Sequence, residues 1–385
     1  MNQSIYFDNA ATTPMDKDVI ESMLPFLTDN FGNPSSTYSY GRTTRIAIET
    51  ARKKVAQLLS VKPSTIFFTS GGTESNNTAI AASLRDLGCT YIITSAIEHH
   101  AVLHTIEYYS RNNKVPTSFV DLTKEGEVDY EDLERKLKEQ TVAGHKCLIS
   151  LMHANNEIGS LSDIKQVGEL CKKYNAIFHS DCVQTVGHYP LNLTEIGVHF
   201  ISAASHKFHG PKGIGILYVR NDLQIQPLIH GGGQERNQRA GTENVYGIVG
   251  FAKALEIAMK EFETDSKYVA NLKSYMRNRL TESIPCVGFN SPDNSLYTLL
   301  SVCFPKSSES ESLLFNLDMA GICVSGGSAC SSGENSGSHV IRALQKINDY
   351  TTIRFSFSKY NSIKEIDQVI DVLQNLLQVK NTITV

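Results

Sequence analysis

Three short polar clusters bring together the residue types that chemistry needs. The first is Thr69-Ser70-Gly71-Gly72-Thr73-Glu74-Ser75-Asn76, which follows the apolar run Ile66-Phe67-Phe68 and opens a helical pattern. Unpartnered N–H groups at a helix start, glycine for close approach and a threonine hydroxyl suit a phosphate. Taken alone, the cluster is equally an ordinary helix cap. One helix terminus contributes only about 0.3–1 kcal/mol, so a firmly held phosphate needs further donors. The second cluster is His179-Ser180-Asp181-Cys182-Val183-Gln184, after the strand-like Ala176-Ile177-Phe178. An aspartate at the end of a buried strand is costly unless it meets a cation or a proton donor, and a pyridinium nitrogen is such a partner. The third is Ser205-His206-Lys207-Phe208-His209-Gly210-Pro211-Lys212-Gly213, between two strand-like runs. Lys207, hemmed by histidines and an aromatic ring, stands where an amine loses solvation and becomes nucleophilic. Lys212 lies in a Gly-Pro-x-Gly turn and reads as scaffold. In this order the three clusters match the needs of pyridoxal 5'-phosphate. Lys207 joins the aldehyde, Asp181 keeps the ring nitrogen protonated, and the helix start of the first cluster holds the phosphate.

A fourth feature is Cys330. It lies in residues 325–338, where ten of fourteen positions are Gly or Ser. Such a composition predicts a flexible, solvated loop, where an isolated thiol is a liability unless its reactivity is used. The other seven cysteines (Cys89, Cys147, Cys171, Cys182, Cys286, Cys303 and Cys323) stand in apolar or strand-like text and are expected to be reduced core residues.

Strand candidates at 65–69, 91–94, 117–120, 147–152, 176–179, 199–203 and 215–219 alternate with amphipathic stretches near 73–87, 100–112, 129–139 and 163–174. Alternation of this kind predicts an α/β fold with a mostly parallel sheet, whose ligands bind at the carboxyl ends of the strands. A longer helix is expected over 38–60. Beyond residue 243 the pattern becomes helix-rich (243–262, 265–283, 309–320, 338–346, 363–378) with strands at 297–304 and 352–357. We therefore expect a large cofactor-binding domain over residues 14–255. A smaller α+β domain is expected from 1–13 and 256–385, carrying the Cys330 loop.

The chain has 385 residues, with 36 Lys+Arg against 40 Asp+Glu and a formal charge of −4. That balance argues against a dedicated nucleic-acid or membrane-surface binder. The first residues carry no basic and apolar signal pattern, and no apolar run is long enough to span a bilayer. A soluble, intracellular protein is expected.

Beyond these clusters, the sequence resembles the cysteine desulfurases of fold-type I, in the class V aminotransferase superfamily, and more narrowly the iron–sulfur-cluster and nitrogen-fixation type. The resemblance runs over almost the whole chain. It is carried by Phe7-Asp8-Asn9-Ala10-Ala11-Thr12-Thr13-Pro14, Phe31-Gly32-Asn33-Pro34-Ser35-Ser36, Phe68 to Ser75, Glu98-His99 and Met152 to Gly159. Further on, it continues in Ser205-His206-Lys207, His230 to Arg236, Arg239-Ala240-Gly241-Thr242 and Gly327-Ser328-Ala329-Cys330. It implies a cytoplasmic, homodimeric, pyridoxal-phosphate enzyme that converts L-cysteine to L-alanine and passes the sulfur to Cys330 as a persulfide. Sulfur-acceptor or scaffold proteins would then receive it. By this resemblance Lys207 carries the cofactor and moves the substrate Cα proton, and His99 stacks on the ring and handles protons at the thiol. Asp181 binds the ring nitrogen, while Gln184 and Asn156 face the ring hydroxyl and bound substrate. Gly72, Thr73 and His206 hold the phosphate, with Thr242 reaching in from the second subunit. Arg354, with Asn156 and Asn33, receives the substrate carboxylate. Three departures stand out. Ala204 occupies the usual phosphate-serine position, so Ser205 is expected to substitute. Ser331 and the following Gly-Glu-Asn text alter the loop, and the chain stops at Val385 without the extended tail some relatives use for scaffold docking. A selenocysteine lyase and a non-catalytic homologue are the competing readings.

Overall fold

The computed structural model describes residues 4–326, 338–344 and 350–378. The strands are β1 (Ile5–Tyr6), β2 (Ile66–Thr69), β3 (Tyr91–Ser95), β4 (Thr117–Val120), β5 (Cys147–Ser150), β6 (Ile177–Asp181), β7 (Phe200–Ala204), β8 (Gly215–Val219), β9 (Gly288–Phe289), β10 (Leu299–Pro305), β11 (Ile322–Cys323) and β12 (Tyr350–Ser356). Seven of them form one sheet in the order β2-β8-β7-β6-β5-β3-β4. The pairs from β4 through β7 are parallel, and β8 alone runs against its neighbours β2 and β7. β5, β6 and β7 are buried along their whole length. A sheet covered on both faces demands this, and it explains why these strands open on apolar pairs such as Leu148-Ile149, Ile177-Phe178 and Phe200-Ile201 instead of alternating.

The covering helices are α1 (Lys17–Leu27), α2 (Ser39–Leu58), α3 (Gly72–Arg85), α4 (His100–Asn113), α5 (Tyr130–Val142), α6 (Ile164–Lys173) and the single turn α7 (Leu193–Ile196). Their starts are set by local chemistry. Asp129 and Asp163 cap α5 and α6 by accepting first-turn N–H groups, each such cap stabilising its helix by about 1 kcal/mol. After the short α8 (Gln234–Asn237) comes α9 (Val245–Ser283), one uninterrupted helix of 39 residues. The sequence predicts two helices here. The expected break falls on Glu263-Thr264, polar residues that a helix tolerates, and neither Gly nor Pro is present to stop it.

Two main clusters of buried side chains result. One surrounds the large sheet and takes in Val245, Phe251 and Leu255 from the first half of α9. The other joins Val269, Leu272 and Met276 from its second half to Phe7, to β10 and β12, to α11 (Leu313–Met319), which follows α10 (Ser308–Glu311), and to α13 (Ile363–Leu376), whereas α12 (His339–Ala343) packs Val340 and Ile341 with Ile97 and Ile158. On this packing we propose that the two units meet inside α9, after Leu255, with residues 5–7 belonging to the second unit. No helix among the described residues is long and apolar enough to cross a membrane.

Burial also sets how the fold responds to acid. The imidazoles of His153, His179, His188 and His199 are held down to about 4 from an ordinary 6.5, chiefly by desolvation. The unfolded chain takes up these protons below about pH 6.5, the folded chain only near 4. The stability they contribute is therefore intact above 6.5 and is lost as the pH falls through that window. The melting temperature is expected to drop by roughly 10 °C or more between pH 7 and pH 4.5. Calorimetry showing a flat profile there would contradict it.

Candidate active site

The strand ends deliver the site. β2 ends at Thr69, Gly71 takes a positive φ of 154°, and α3 starts at Gly72. A side chain at Gly72 would put its Cβ 2.6 Å from the Val183 side chain. The glycine thus lets the helix start approach the turn after β6. β3 leads to Glu98 and His99, β5 to Met152 and Asn156, β6 ends on Asp181, and β7 on Ala204, three residues before Lys207. All these ends lie at one edge of the sheet, and together they enclose a cavity of about 270 Å³. Gly72, Thr73, His99, Asn156, Asp181, Gln184, His206, Lys207 and Arg354 all line it.

Lys207 lies in a short 3-10 turn, and its Nζ donates to the carbonyls of Ala10 (2.6 Å) and Ala11 (2.9 Å). Asp181 is buried, with Oδ1 accepting from Val183 N (3.0 Å) and Oδ2 from Asn76 Nδ2 (2.6 Å). His99 caps α4, its Nδ1 accepting the Ala101 N–H at 3.0 Å. A nitrogen that accepts carries no proton, so the ring proton sits on Nε2. Burial lowers the His99 pKa, against an opposing pull from Asp181. His206 is down to about 4, through burial and then the charges of Lys207 and Lys212, and is neutral at pH 7. Its Nδ1 pairs with Thr12 Oγ1 at 3.2 Å. Gln184 donates to Ala10 O at 3.1 Å.

Arg354, on β12, is buried. Nη1 donates to the Asn156 carbonyl and Nη2 to Asp8 Oδ1, each at 2.7 Å, while Nε has no hydrogen-bond partner. Arg354 lines the cavity, where a guanidinium suits a carboxylate. Arg354 meets Asn156 through the latter's backbone, so the asparagine orients the guanidinium by its carbonyl.

One sequence expectation is corrected, and two further residues lie apart from the cavity of their own chain. The Ser205 hydroxyl is fully buried and donates to the Pro211 carbonyl, so it braces the β7–β8 connection and does not line the cavity; Ala204 does. Asn33 is exposed before α2, where its Oδ1 accepts from Ser35 N at 2.9 Å, away from the cavity of its own chain. Thr242 is also exposed and lines a separate cavity of about 210 Å³ with Ser70, Glu235 and Arg239. Cys330 lies outside the described residues. The stretch that carries it is anchored nearby on both sides. Ser325 pairs its backbone with Arg354, and the Ser338 hydroxyl donates to Glu157, a cavity residue.

The sequence reading assigns no role to Asn76, His100, Glu157 or His339, which also line the cavity. Asn76 was legible in principle, one helical turn after Gly72 on the same face of α3.

The residues present fit pyridoxal 5'-phosphate. One cavity offers an amine, an acceptor carboxylate, an imidazole, a glycine-cradled helix start and a guanidinium. The model of the class-V aminotransferase family matches residues 5–369, and the chain belongs to that family, in its cysteine desulfurase branch. It is 43% identical to the "Cysteine desulfurase IscS" of Dictyoglomus turgidum, an alignment covering 100% of this chain and 97% of the relative. Among solved structures, a NifS-like protein matches with a TM-score of 0.89 and 38% identity, covering 98% of this chain and 100% of its own. SspA in complex with cysteine matches with a TM-score of 0.81 and 32% identity over 93% and 100%.

Proposed function

We propose that this protein is a pyridoxal-phosphate-dependent cysteine desulfurase that converts L-cysteine to L-alanine and takes the sulfur onto Cys330 for delivery to acceptor proteins. The observation that carries the reading is the convergence of Lys207, Asp181, His99 and Arg354 on one cavity beside the start of α3. The cofactor, when bound, supplies an electron sink conjugated to the substrate Cα. Lys207 Nζ would hold it and then carry the Cα proton. Gly72 and Thr73, at the start of α3, and the neutral His206 would donate to the phosphate, and Asp181 would accept from the ring nitrogen. Arg354 would fix the substrate carboxylate, leaving its side chain toward Cys330. The thiolate of Cys330 attacks the substrate sulfur, an S–S bond forms and the Cβ–S bond breaks. The electron pair left on Cβ takes up a proton, completing alanine. His99, with its proton on Nε2, is placed to donate it and to accept the next one from a thiol.

Asn33 and Thr242, exposed in the single chain, suit a homodimer in which each subunit completes its partner's site. We infer that arrangement from the resemblance and from their exposure.

Loaded with pyridoxal phosphate and given L-cysteine, the protein is expected to release alanine and enzyme-bound sulfur in equal amounts, and to release no alanine from L-serine. A preparation that stays colourless with the cofactor, or makes no alanine, would refute the reading. Arg354→Lys supplies one ammonium in place of a planar fork that already serves Asp8 and Asn156. Its kcat/KM for cysteine is expected to fall about 100-fold, mostly through KM. Unchanged steady-state kinetics would remove Arg354 from substrate binding.

A further inference from the structure

Behind Asp181 lies a chain of buried polar groups that the mechanism above does not use. Asp181 Oδ2 accepts from Asn76 Nδ2 at 2.6 Å, and Asn76 Oδ1 meets His179 Nε2 at 3.1 Å. His179 Nδ1 in turn meets the Ser150 hydroxyl at 2.9 Å, and Ser202 Oγ lies 3.3 Å from Nε2. Ser150, His179 and Ser202 are 0% exposed and Asn76 is 1% exposed. The members come from β5, β6, β7 and α3, so the whole sheet edge contributes.

The direction of every bond follows from one fact. An ionised carboxylate only accepts, so Asn76 must turn its NH₂ to Asp181 and its carbonyl to His179. His179 must then carry its proton on Nε2, which leaves Nδ1 to accept from Ser150. Donation thus runs one way, Ser150 to His179 to Asn76 to Asp181, and ends on the carboxylate. A fully satisfied chain of this kind polarises toward its acceptor and resists rearrangement. The other titratable groups around Asp181 are His99 and Glu98 from the turn before α4, and Cys182 beside it. Lys207 lines the same cavity. Burial pushes the Glu98 carboxyl well above its ordinary range, and it pushes the Cys182 thiol up to about 12, so that thiol brings no competing negative charge at pH 7.

We propose that Asn76 and His179 are positioning residues that hold the Asp181 carboxylate in one orientation, and so set how firmly the cofactor's ring nitrogen stays protonated. The inference rests on the cofactor assignment made under Proposed function. Its signature is spectroscopic. With the ring nitrogen less protonated, the lysine-linked nitrogen of the chromophore becomes more basic, and the pH midpoint of its colour change moves up.

Asn76→Asp puts a second carboxyl against Asp181, and the two must share a proton. The midpoint is expected to rise by about one pH unit or more, and the cofactor dissociation constant by about tenfold. His179→Leu removes the donor that orients Asn76 and is expected to raise the midpoint by about half a unit, whereas His179→Gln keeps an N–H donor and is expected to stay near wild type. Because His179 acts through Asn76, adding His179→Leu to Asn76→Asp should shift the midpoint no further. Circular dichroism confirms folding, and if the leucine variant does not fold, the Asn76→Asp and His179→Gln pair alone decides. Unmoved midpoints, or additive shifts in the double variant, overturn the relay and leave the desulfurase reading intact. No chromophore in the wild type would sink both together.

Discussion

Lys207→Ala, purified with pyridoxal phosphate, is expected to be colourless in the covalent band and to turn over cysteine at least 1,000-fold more slowly than wild type, on the order expected for a residue that is both covalent anchor and proton carrier. Lys207 is the one lysine among the described residues lining the Asp181 cavity, and its Nζ is held at the wall by two carbonyls of the amino-terminal segment. Those carbonyls are acceptors that an uncharged imine would release, so the amine has somewhere to return when the substrate replaces it. Lys212 cannot take over. It lines the adjoining cavity beside Ser70 and Gly71, outside the Asp181 cavity. The variant should still hold the cofactor without a covalent bond, because Gly72, Thr73 and His206 are untouched. Equilibrium dialysis and absorbance separate the two properties. A yellow Lys207→Ala protein with ordinary turnover would move the aldehyde to another amine.

Cys330→Ala is expected to bind cysteine with the same spectral change as wild type but to release alanine about 100-fold more slowly or worse. No other thiol is placed to substitute. Burial raises Cys147 to about 11 and Cys89 and Cys182 to about 12. These side chains are therefore neutral at pH 7, and a thiol is a poor nucleophile beside a thiolate. Cys323, on β11, is likewise raised by burial. Cys330 follows Gly326 by four residues in the sequence. Gly326 directly follows the Ser325 that pairs with Arg354. Rapid-quench measurement of alanine and persulfide on both proteins decides the matter, and undiminished alanine release would take Cys330 out of the chemistry.

Much of this arrangement is legible in the sequence because the sheet announces itself. The strands from β2 to β8 coincide within two residues with apolar, β-branched runs, and the polar clusters sit where those runs stop. Placing Lys207, Asp181 and Gly72 at one edge needs only the rule that such strands run parallel. α1 is harder to read, since Pro25 sits inside it and interrupts the pattern. The cysteines are read correctly where a strand or a helix core buries them. Cys286 is exposed, in a turn with φ 57°, because Ile284-Pro285 ends α9 and throws the chain outward. Ser205 misleads for a geometric reason: it opens the 3-10 turn after β7, and its hydroxyl turns to the Pro211 carbonyl instead of the cavity. The Asn76–His179 relay is invisible to spacing, since its members are about one hundred residues apart and meet only through the crossover of α3 onto the sheet.

The amino-terminal segment has a consequence for biogenesis. Ala10 and Ala11 receive the Lys207 amine, Asp8 receives Arg354, and the Phe7 carbonyl accepts the Ser356 N–H. Residues 7–11 therefore wait for residues near 355 before either finds its place, and contacts that far apart in sequence close slowly. A nascent chain halted before β12 would have the cradle for the phosphate but no floor beneath the lysine, so vitamin loading belongs after β12 has been made.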